Sequence, residues 1–255
     1  MKIVVALKQV PGRDSLLRVD ASLRWISETD LTFETNEPDA YALEEALQLK
    51  EKHGGEVVVL SVGPARVAQA IRGALAKGAD RAIHIEEDLN DWDTLGMAQL
   101  MARALQPEKP DLILTGLQSD DLGYGQTGVV LAELLGLPHA TIIMQVELRN
   151  GALRVKREQE SGWFQYLELP LPALLTIQSG ISKLRYATLM GIKRAQTKEV
   201  RKLTATGLDV ISARSVEIRR VYLPRHERET EMLAGSPNEV AAQLIERLKF
   251  TARVL

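Results

Sequence analysis

The sequence predicts an α/β fold: a doubly wound parallel sheet with an antiparallel hairpin insertion and an extended C-terminal arm. Three observations carry this. Over the first half, short apolar runs rich in β-branched residues alternate with segments of helical period, as strands joined by crossover helices require. Between 141 and 178 the alternation becomes two-residue and turns on Asn150-Gly151, a hairpin signal. Beyond Lys198 the chain is charged and lacks helical period until a last amphipathic stretch.

The elements follow in order. Ile3 to Ala6 is a buried first strand. Tyr41 to Lys52 is a helix whose apolar face is Leu43, Ala46, Leu47 and Leu49, ended by Gly54-Gly55. Glu56 to Val62 is a strand, and Pro64 opens a helix with Val67, Ala70, Ile71, Ala74 and Leu75 on one face. Arg81 to Ile85 is a strand, Asp93 to Leu105 a helix carrying Leu95, Met97, Leu100 and Met101, and Asp111 to Thr115 a strand. Gly128 to Leu135 is a short helix stopped by Gly136. Thr141 to Leu148, Leu153 to Arg157, Trp163 to Leu169 and Ala173 to Ile177 then read as one antiparallel insertion. At the end, Ser236-Pro237-Asn238-Glu239 is a helix start with a capping box, and Val240, Ala241, Leu244, Ile245 and Leu248 form an apolar stripe. The stripe suits either folding back on the domain or wrapping a partner.

Composition narrows the function. The 255 residues contain no cysteine, which excludes disulfides, thiolate catalysis and cysteine metal sites. The histidines are His53, His84, His139 and His226, none at helical ligand spacing, so no metal site is expected. A net charge of -2 and 4% aromatic residues give no basic field or stacking surface for nucleic acid. The first apolar run is too short for a signal peptide or membrane span, so no membrane insertion and a cytoplasmic compartment are expected.

Parallel sheets bind ligands beyond the carboxyl ends of their strands. The richest such loop runs Gly116-Leu117-Gln118-Ser119-Asp120-Asp121-Leu122-Gly123-Tyr124-Gly125-Gln126-Thr127 into Gly128. Its glycines allow backbone N–H groups to approach a phosphate, and the helix start attracts anions. Thr127 can cap that helix or donate to a phosphate oxygen, and Asp120 or Asp121 can accept from a ribose hydroxyl. The same loop also reads as an unliganded glycine-rich connection, being neither a dinucleotide fingerprint nor a Walker loop. In Asn36-Glu37-Pro38-Asp39, Asp39 reads as an N-cap of the helix near Tyr41, and the Asn36 amide as a reader of an adenine edge. Glu44-Glu45 reads as a solvated or partner-facing pair, not a catalytic dyad. No nucleophile–base–acid set appears; His84 reads as structural and His139 as a turn residue. Lys8, after the first strand, can reach a phosphate. Leu189 and Met190, between Arg185, Lys193 and Arg194, read as an apolar anchor in a basic ring or as a short helix with a buried leucine.

Arg185-Tyr186-Ala187-Thr188-Leu189, after Leu171-Pro172-Ala173-Leu174-Leu175-Thr176, resembles electron transfer flavoprotein beta subunits. So do, in order, Val4 to Gln9, Glu44 to Lys52, Ser61-Val62-Gly63-Pro64 and Ala76 to Arg81, so that the likeness spans nearly the whole chain. The resemblance implies a flavodoxin-like, adenine-nucleotide-binding domain over 1–197, with hairpin 141–178 and docking loop 182–195, and an arm over 198–255 packed on a larger alpha subunit. It implies a non-enzymatic electron carrier. AMP would be held by Ala6, Asn36, Glu37, Pro38, Asp39, Val62 and Gly116, with Gln118, Ser119, Asp120, Asp121, Leu122, Gly123, Tyr124, Gly125, Gln126 and Thr127. FAD would be held mainly by the alpha subunit. Leu189 would anchor electron-donating dehydrogenases, with Met190, Arg185 and Lys193 around it, and electrons would pass toward a quinone oxidoreductase or similar acceptor. A bifurcating relative would carry a second FAD in place of AMP; a stand-alone adenine-nucleotide-binding module is the other alternative. The family's nucleotide loop usually has more acidic residues and an Asn before Gln-Thr-Gly, where this chain has Leu122, Gly123 and Gly125. Glu160-Ser161-Gly162-Trp163 matches the family's acidic-glycine stretch only in part.

Overall fold

A computed structural model describes residues 1–211, 214–224 and 230–254; His226, Arg228 and the rest of the expected arm over 225–229 lie outside the described residues. Among the described residues eleven strands are formed: β1 Lys2–Ala6, β2 Gln9–Pro11, β3 Phe33–Thr35, β4 Glu56–Gly63, β5 Arg81–Glu86, β6 Leu112–Gly116, β7 His139–Arg149, β8 Ala152–Glu158, β9 Phe164–Pro170, β10 Ala173–Ile177 and β11 Val200–Leu203. The α-helices are α1 Glu37–His53, α2 Ala68–Lys77, α3 Thr94–Leu105, α4 Thr127–Leu135, α5 Leu189–Ala195 and α6 Pro237–Glu246.

Nine strands make one sheet in the order β11-β5-β4-β1-β6-β10-β7-β8-β9, parallel from β11 to β7 and antiparallel thereafter. Alternate residues of each strand feed opposite faces. Ile3, Val5, Val57 and Val59 pack with Ala42, Leu43, Leu47 and Ile71 beneath α1 and α2. Val4, Val58, Leu60 and Ile113 pack with Leu100, Leu105 and Leu131 beneath α3 and α4. A strand covered on both faces must be apolar throughout, which is why β1 and β4 carry runs of valine, leucine and isoleucine rather than an alternating pattern.

Two expectations change here. β10 does not belong to an antiparallel insertion: it lies between β6 and β7, parallel to both, and only β7–β8–β9 forms antiparallel ladders. The Asn150-Gly151 turn is as expected, both residues having positive φ. The sheet also takes in β11, beside β5, so ordered core continues past the expected boundary at 197. The capping box at α6 forms, with the Glu239 carboxylate accepting from Ser236 N and Oγ at 2.8 and 2.7 Å. No residue of α6 is buried; its stripe does not fold back onto the sheet.

Candidate functional site

The chain leaves β1 for β4 on one side and later returns to β6 on the other, so the loops after β1 and β6 diverge over a crevice. This cleft has a volume of about 1480 Å³. The site residues Ala6, Asn36, Asp39, Val62, Gly116, Gln118, Ser119, Asp121, Leu122, Tyr124, Gly125, Gln126 and Thr127 all line it. Glu37, Pro38, Asp120 and Gly123 do not.

The 36–39 segment does not precede the first helix; it is that helix's first turn. Asn36 occupies the N-cap position without a capping hydrogen bond, and Pro38 sits in the first turn. Proline near a helix start was the signal for this boundary. Asp39 is therefore no N-cap. Its carboxylate is buried and accepts from Lys8 N at 2.7 Å and Gly116 N at 2.8 Å. Burial drives its pKa up to about 6, against the pull of those donors, the Asn36 amide and the Lys8 ammonium. The Asn36 amide is engaged too, donating to Gln118 O at 2.9 Å and accepting from Asp120 N at 2.9 Å. Both of its polar atoms thus have partners in the loop.

Lys8 pairs with Asp121 at 2.6 Å and donates to Ser119 Oγ at 3.3 Å. Desolvation pushes the Asp121 carboxyl up, but the Lys8 charge and its hydrogen bonds prevail and hold it below its ordinary value. Asp120 accepts from Glu37 N, while Glu37 pairs with Arg13. These contacts tie the loop to the residues after β1 and to the first turn of α1. Thr127 is the first residue of α4, not its cap. The N–H groups of Thr127 and Gly128 have no acceptor among the described residues and open on the cleft. A side chain at Gly128 would meet Thr115 Oγ1 and Thr176 Cγ2 at 2.7 Å, so the helix start seats this closely only as glycine.

Three parts of the cleft gave no signal in the sequence. Arg66 stacks over Phe33 at 3.7 Å while its Nη1 donates to Gln9 Oε1 at 2.7 Å. Trp25 and Trp92 add apolar lining. Ser215, Val216 and Ile218 line the cleft from the arm. Asp93 holds them there: Oδ1 caps α3 through Gly96 N at 2.9 Å, and Oδ2 accepts from Ser215 N and Val216 N at 2.6 and 3.1 Å. Val221 N continues the strap to Leu23 O at 2.7 Å.

The second candidate surface is α5. Leu189 is 87% exposed, Met190 59% and Tyr186 92%, so the reading of a buried leucine fails. Lys193 is exposed as well. Arg185 does not join the basic ring: it is held by Glu44 at 2.9 Å and Glu51 at 2.6 Å. Glu44 and Glu45 are not solvated but buried. Desolvation opposes the Glu44 charge, yet the Arg185 guanidinium keeps its carboxyl below the ordinary range. Glu45 has no such partner among the described residues, and burial with the neighbouring Glu44 charge pushes it up to about 7. At the far end, Lys198 donates to Leu75 O and Ala79 O and Arg72 to Ala195 O, clamping the segment onto α2.

His84 is fully buried in β5, Nε2 lying 2.9 Å from Gly63 O, outside the cleft lining. Among the described residues no cluster of His, Asp or Glu could hold a metal, and no helix is long and apolar enough to cross a membrane.

A family model described as "Electron transfer flavoprotein domain" matches residues 24–208. The electron transfer flavoprotein subunit beta of Methylophilus methylotrophus is 37% identical over 257 residues, covering 96% of this chain and 97% of that protein. The protein of the same name from Bacillus subtilis is 36% identical, covering 86% and 87%. The one from Homo sapiens is 33% identical, covering 100% and 99%.

Proposed function

The chain belongs to the electron transfer flavoprotein family, as a beta subunit, and from that premise we propose that it binds AMP in the β1–β6 cleft as a structural nucleotide. The observation that carries this is the free N–H pair of Thr127 and Gly128, at the start of α4, facing a cleft at the strand-order reversal. Such donors, backed by the helix dipole, suit a phosphate. Adenine and ribose would lie toward Ala6, Val62 and the 118–125 stretch. The missing side-chain contacts at Gly123 and Gly125 are offset by backbone donors, since one neutral hydrogen bond is worth about 0.5–1.5 kcal/mol.

In this reading the chain is an electron carrier subunit and not an enzyme. FAD is held mainly by a larger alpha subunit, against which this chain supplies a wall. Leu189, with Met190 and Lys193, docks donor dehydrogenases, and electrons leave toward a quinone oxidoreductase or similar acceptor. The exposed apolar stripe of α6 supports an alpha-subunit partner, because Leu244 and Ile245 are about half exposed, at 47% and 48%.

One observation favours a second reading. The cleft exceeds the roughly 300–1,000 Å³ typical of small-molecule sites, and a second FAD in a bifurcating complex would use more of it. Extraction of the purified heterodimer, with the released nucleotides identified by mass and counted, separates the two. One AMP and one FAD per heterodimer are expected. Two FAD and no AMP would overturn the AMP reading.

A further inference from the structure

We propose that Arg185 is a positioning residue for donor docking: it fixes the loop that presents Leu189, and its charge is taken up by α1 and not by a partner. This rests on the docking reading above and gives Arg185 a part in it other than a place in the basic ring. The chain leaves β10 at Ile177 and starts α5 at Leu189. Among the described residues, Arg185 makes the only hydrogen bonds that tie residues 179–187 to another element. Its Nε and Nη2 engage Glu44 at 2.9 and 3.0 Å, and Nη1 and Nη2 engage Glu51 at 2.6 and 3.1 Å. Its backbone N–H also donates to Glu44 Oε2, at 3.2 Å. A planar guanidinium meets a carboxylate with two parallel donors, so each pair fixes orientation as well as distance. Glu44 is itself buried in α1 and accepts from Gln48 Nε2 at 3.0 Å. The loop is therefore pinned, four residues before Leu189, to a helix that packs on the sheet.

Packing completes the mount. Ile181 and Ala187 pack against the core cluster beneath α1 and α2. Thr188 Oγ1 caps α5, accepting from Gly191 N at 3.0 Å. A Cβ on Gly191 would run into Ala76 O, so α5 seats directly on the last turn of α2. Between these fixed points Tyr186, Leu189 and Met190 stay exposed. An exposed leucine tied down on both sides keeps one pose before a partner arrives, and less freedom is then lost on docking.

The charge balance points the same way. One guanidinium faces two carboxylates and keeps both charged. Its hydrogen bonds bring the Glu51 carboxyl below its ordinary value. At Glu44 desolvation is the largest effect, and the guanidinium with Gln48 outweighs it. The cluster is thus net negative and gives an acidic donor nothing to steer by, whereas Lys193 and Arg194 are exposed on α5. Loosening the clamp lowers the fraction of molecules whose loop stands ready. Apparent affinity falls by that fraction, while electron transfer within the docked complex does not change.

The test is steady-state reduction of the intact heterodimer by a substrate-reduced donor dehydrogenase. Amide hydrogen exchange over 179–195, FAD content and unfolding midpoint are read on the same preparations. Arg185→Lys keeps the charge and loses the paired donors. It should raise KM for the heterodimer about three- to tenfold with kcat and FAD content near normal. It should also speed exchange at 186–192 and leave the salt dependence of the on-rate as it was. Glu51→Gln acts at the exposed end of the cluster and should do the same by a smaller factor, which keeps the question open to measurement should Arg185→Lys fold poorly. In a Leu189→Ala background Arg185→Lys should add no more than about twofold, because no anchor is left to position. A fully additive effect there, or a weaker salt dependence, would make Arg185 a direct contact and overturn the positioning role. Unchanged KM in both Arg185→Lys and Glu51→Gln, whatever the midpoint, would leave the clamp purely structural and overturn it too. If Leu189→Ala alone leaves KM unchanged, the docking reading falls and the positioning role with it.

Discussion

α1 and α6 are both amphipathic helices with proline in the first turn, and they end in opposite states. α1 buries nine of its residues, including three carboxylates. α6 buries none, although its start is capped by Glu239 and its stripe is as regular. A capped apolar stripe guarantees a helix that has something to cover; it does not say what covers it. For α1 the covering surface is the sheet, through β1, β6 and β10. For α6 nothing within the described chain does so. The difference places α1 in the core and leaves α6 uncovered, as the proposed partner contact requires, and it can be attacked from either side.

The largest effect should come from the exposed side. Ending the chain after Gly235 removes α6 and the exposed Phe250 while leaving the buried clusters intact. Loss of several apolar anchors at one interface should weaken association with the alpha subunit by roughly 100-fold or more. The unfolding midpoint of the isolated chain should barely move. Gel filtration of co-expressed subunits and thermal unfolding of the single chain measure the two. A truncated chain that still elutes as a tight heterodimer, or that unfolds far below the full chain, would mean that α6 belongs to the domain after all.

The buried side predicts a smaller effect with a defined pH window. Glu45 binds its proton more tightly in the folded state, at about 7, than at its ordinary value of 4.5. Its contribution to stability is thus full below pH 4.5 and lost as pH rises through 7. Glu45→Gln should raise stability at pH 8 by roughly 2–3 kcal/mol and change little at pH 4. Urea unfolding at both pH values reads this directly. Equal stability of variant and wild type at pH 8 would show that Glu45 is hydrated and that α1 is less deeply covered than the fold has it.

The same contrast explains what the sequence could and could not tell. β1, β4, β5 and β6 were legible because a strand covered on both faces must be apolar throughout, and a local run shows that. β10 was misread because Ala173–Ile177 follows β9 after a short turn, and whether a strand continues a hairpin or crosses to the parallel side is decided by its neighbours β6 and β7. The 116–127 loop was legible from its glycines. The engagement of Asn36 and Asp39 was not, because it depends on backbone groups 77 to 84 residues away, apart from Lys8. Glu44 looked solvated for the same reason: Arg185, its partner, is 141 residues along the chain. The arm's place over the cleft rests on Asp93, which sequence marked only as a helix start.

α5 sits between the two cases, and it carries the smallest predicted change. Its base is held like α1, by Arg185 on Glu44 and Glu51 and by Lys198 on Leu75 O in α2 and Ala79 O just beyond it. Its tip is open like α6, with Leu189 87% exposed. A rigid base under an exposed leucine suits a brief encounter, because little side-chain or loop freedom is lost when a donor docks. Leu189→Ala should weaken productive binding of a donor dehydrogenase by on the order of 2 kcal/mol, about thirtyfold. It should appear as a higher KM for the complex as acceptor, with kcat near normal, because the flavin itself is untouched. FAD content, AMP content and unfolding midpoint should stay within error, since a side chain this exposed buries little on folding. Steering by Lys193 should show separately, as an on-rate that falls with salt. Loss of stability with unchanged donor kinetics would place Leu189 in the core and return α5 to the class of α1. Unchanged kinetics and unchanged stability together would leave the exposed tip without a docking role.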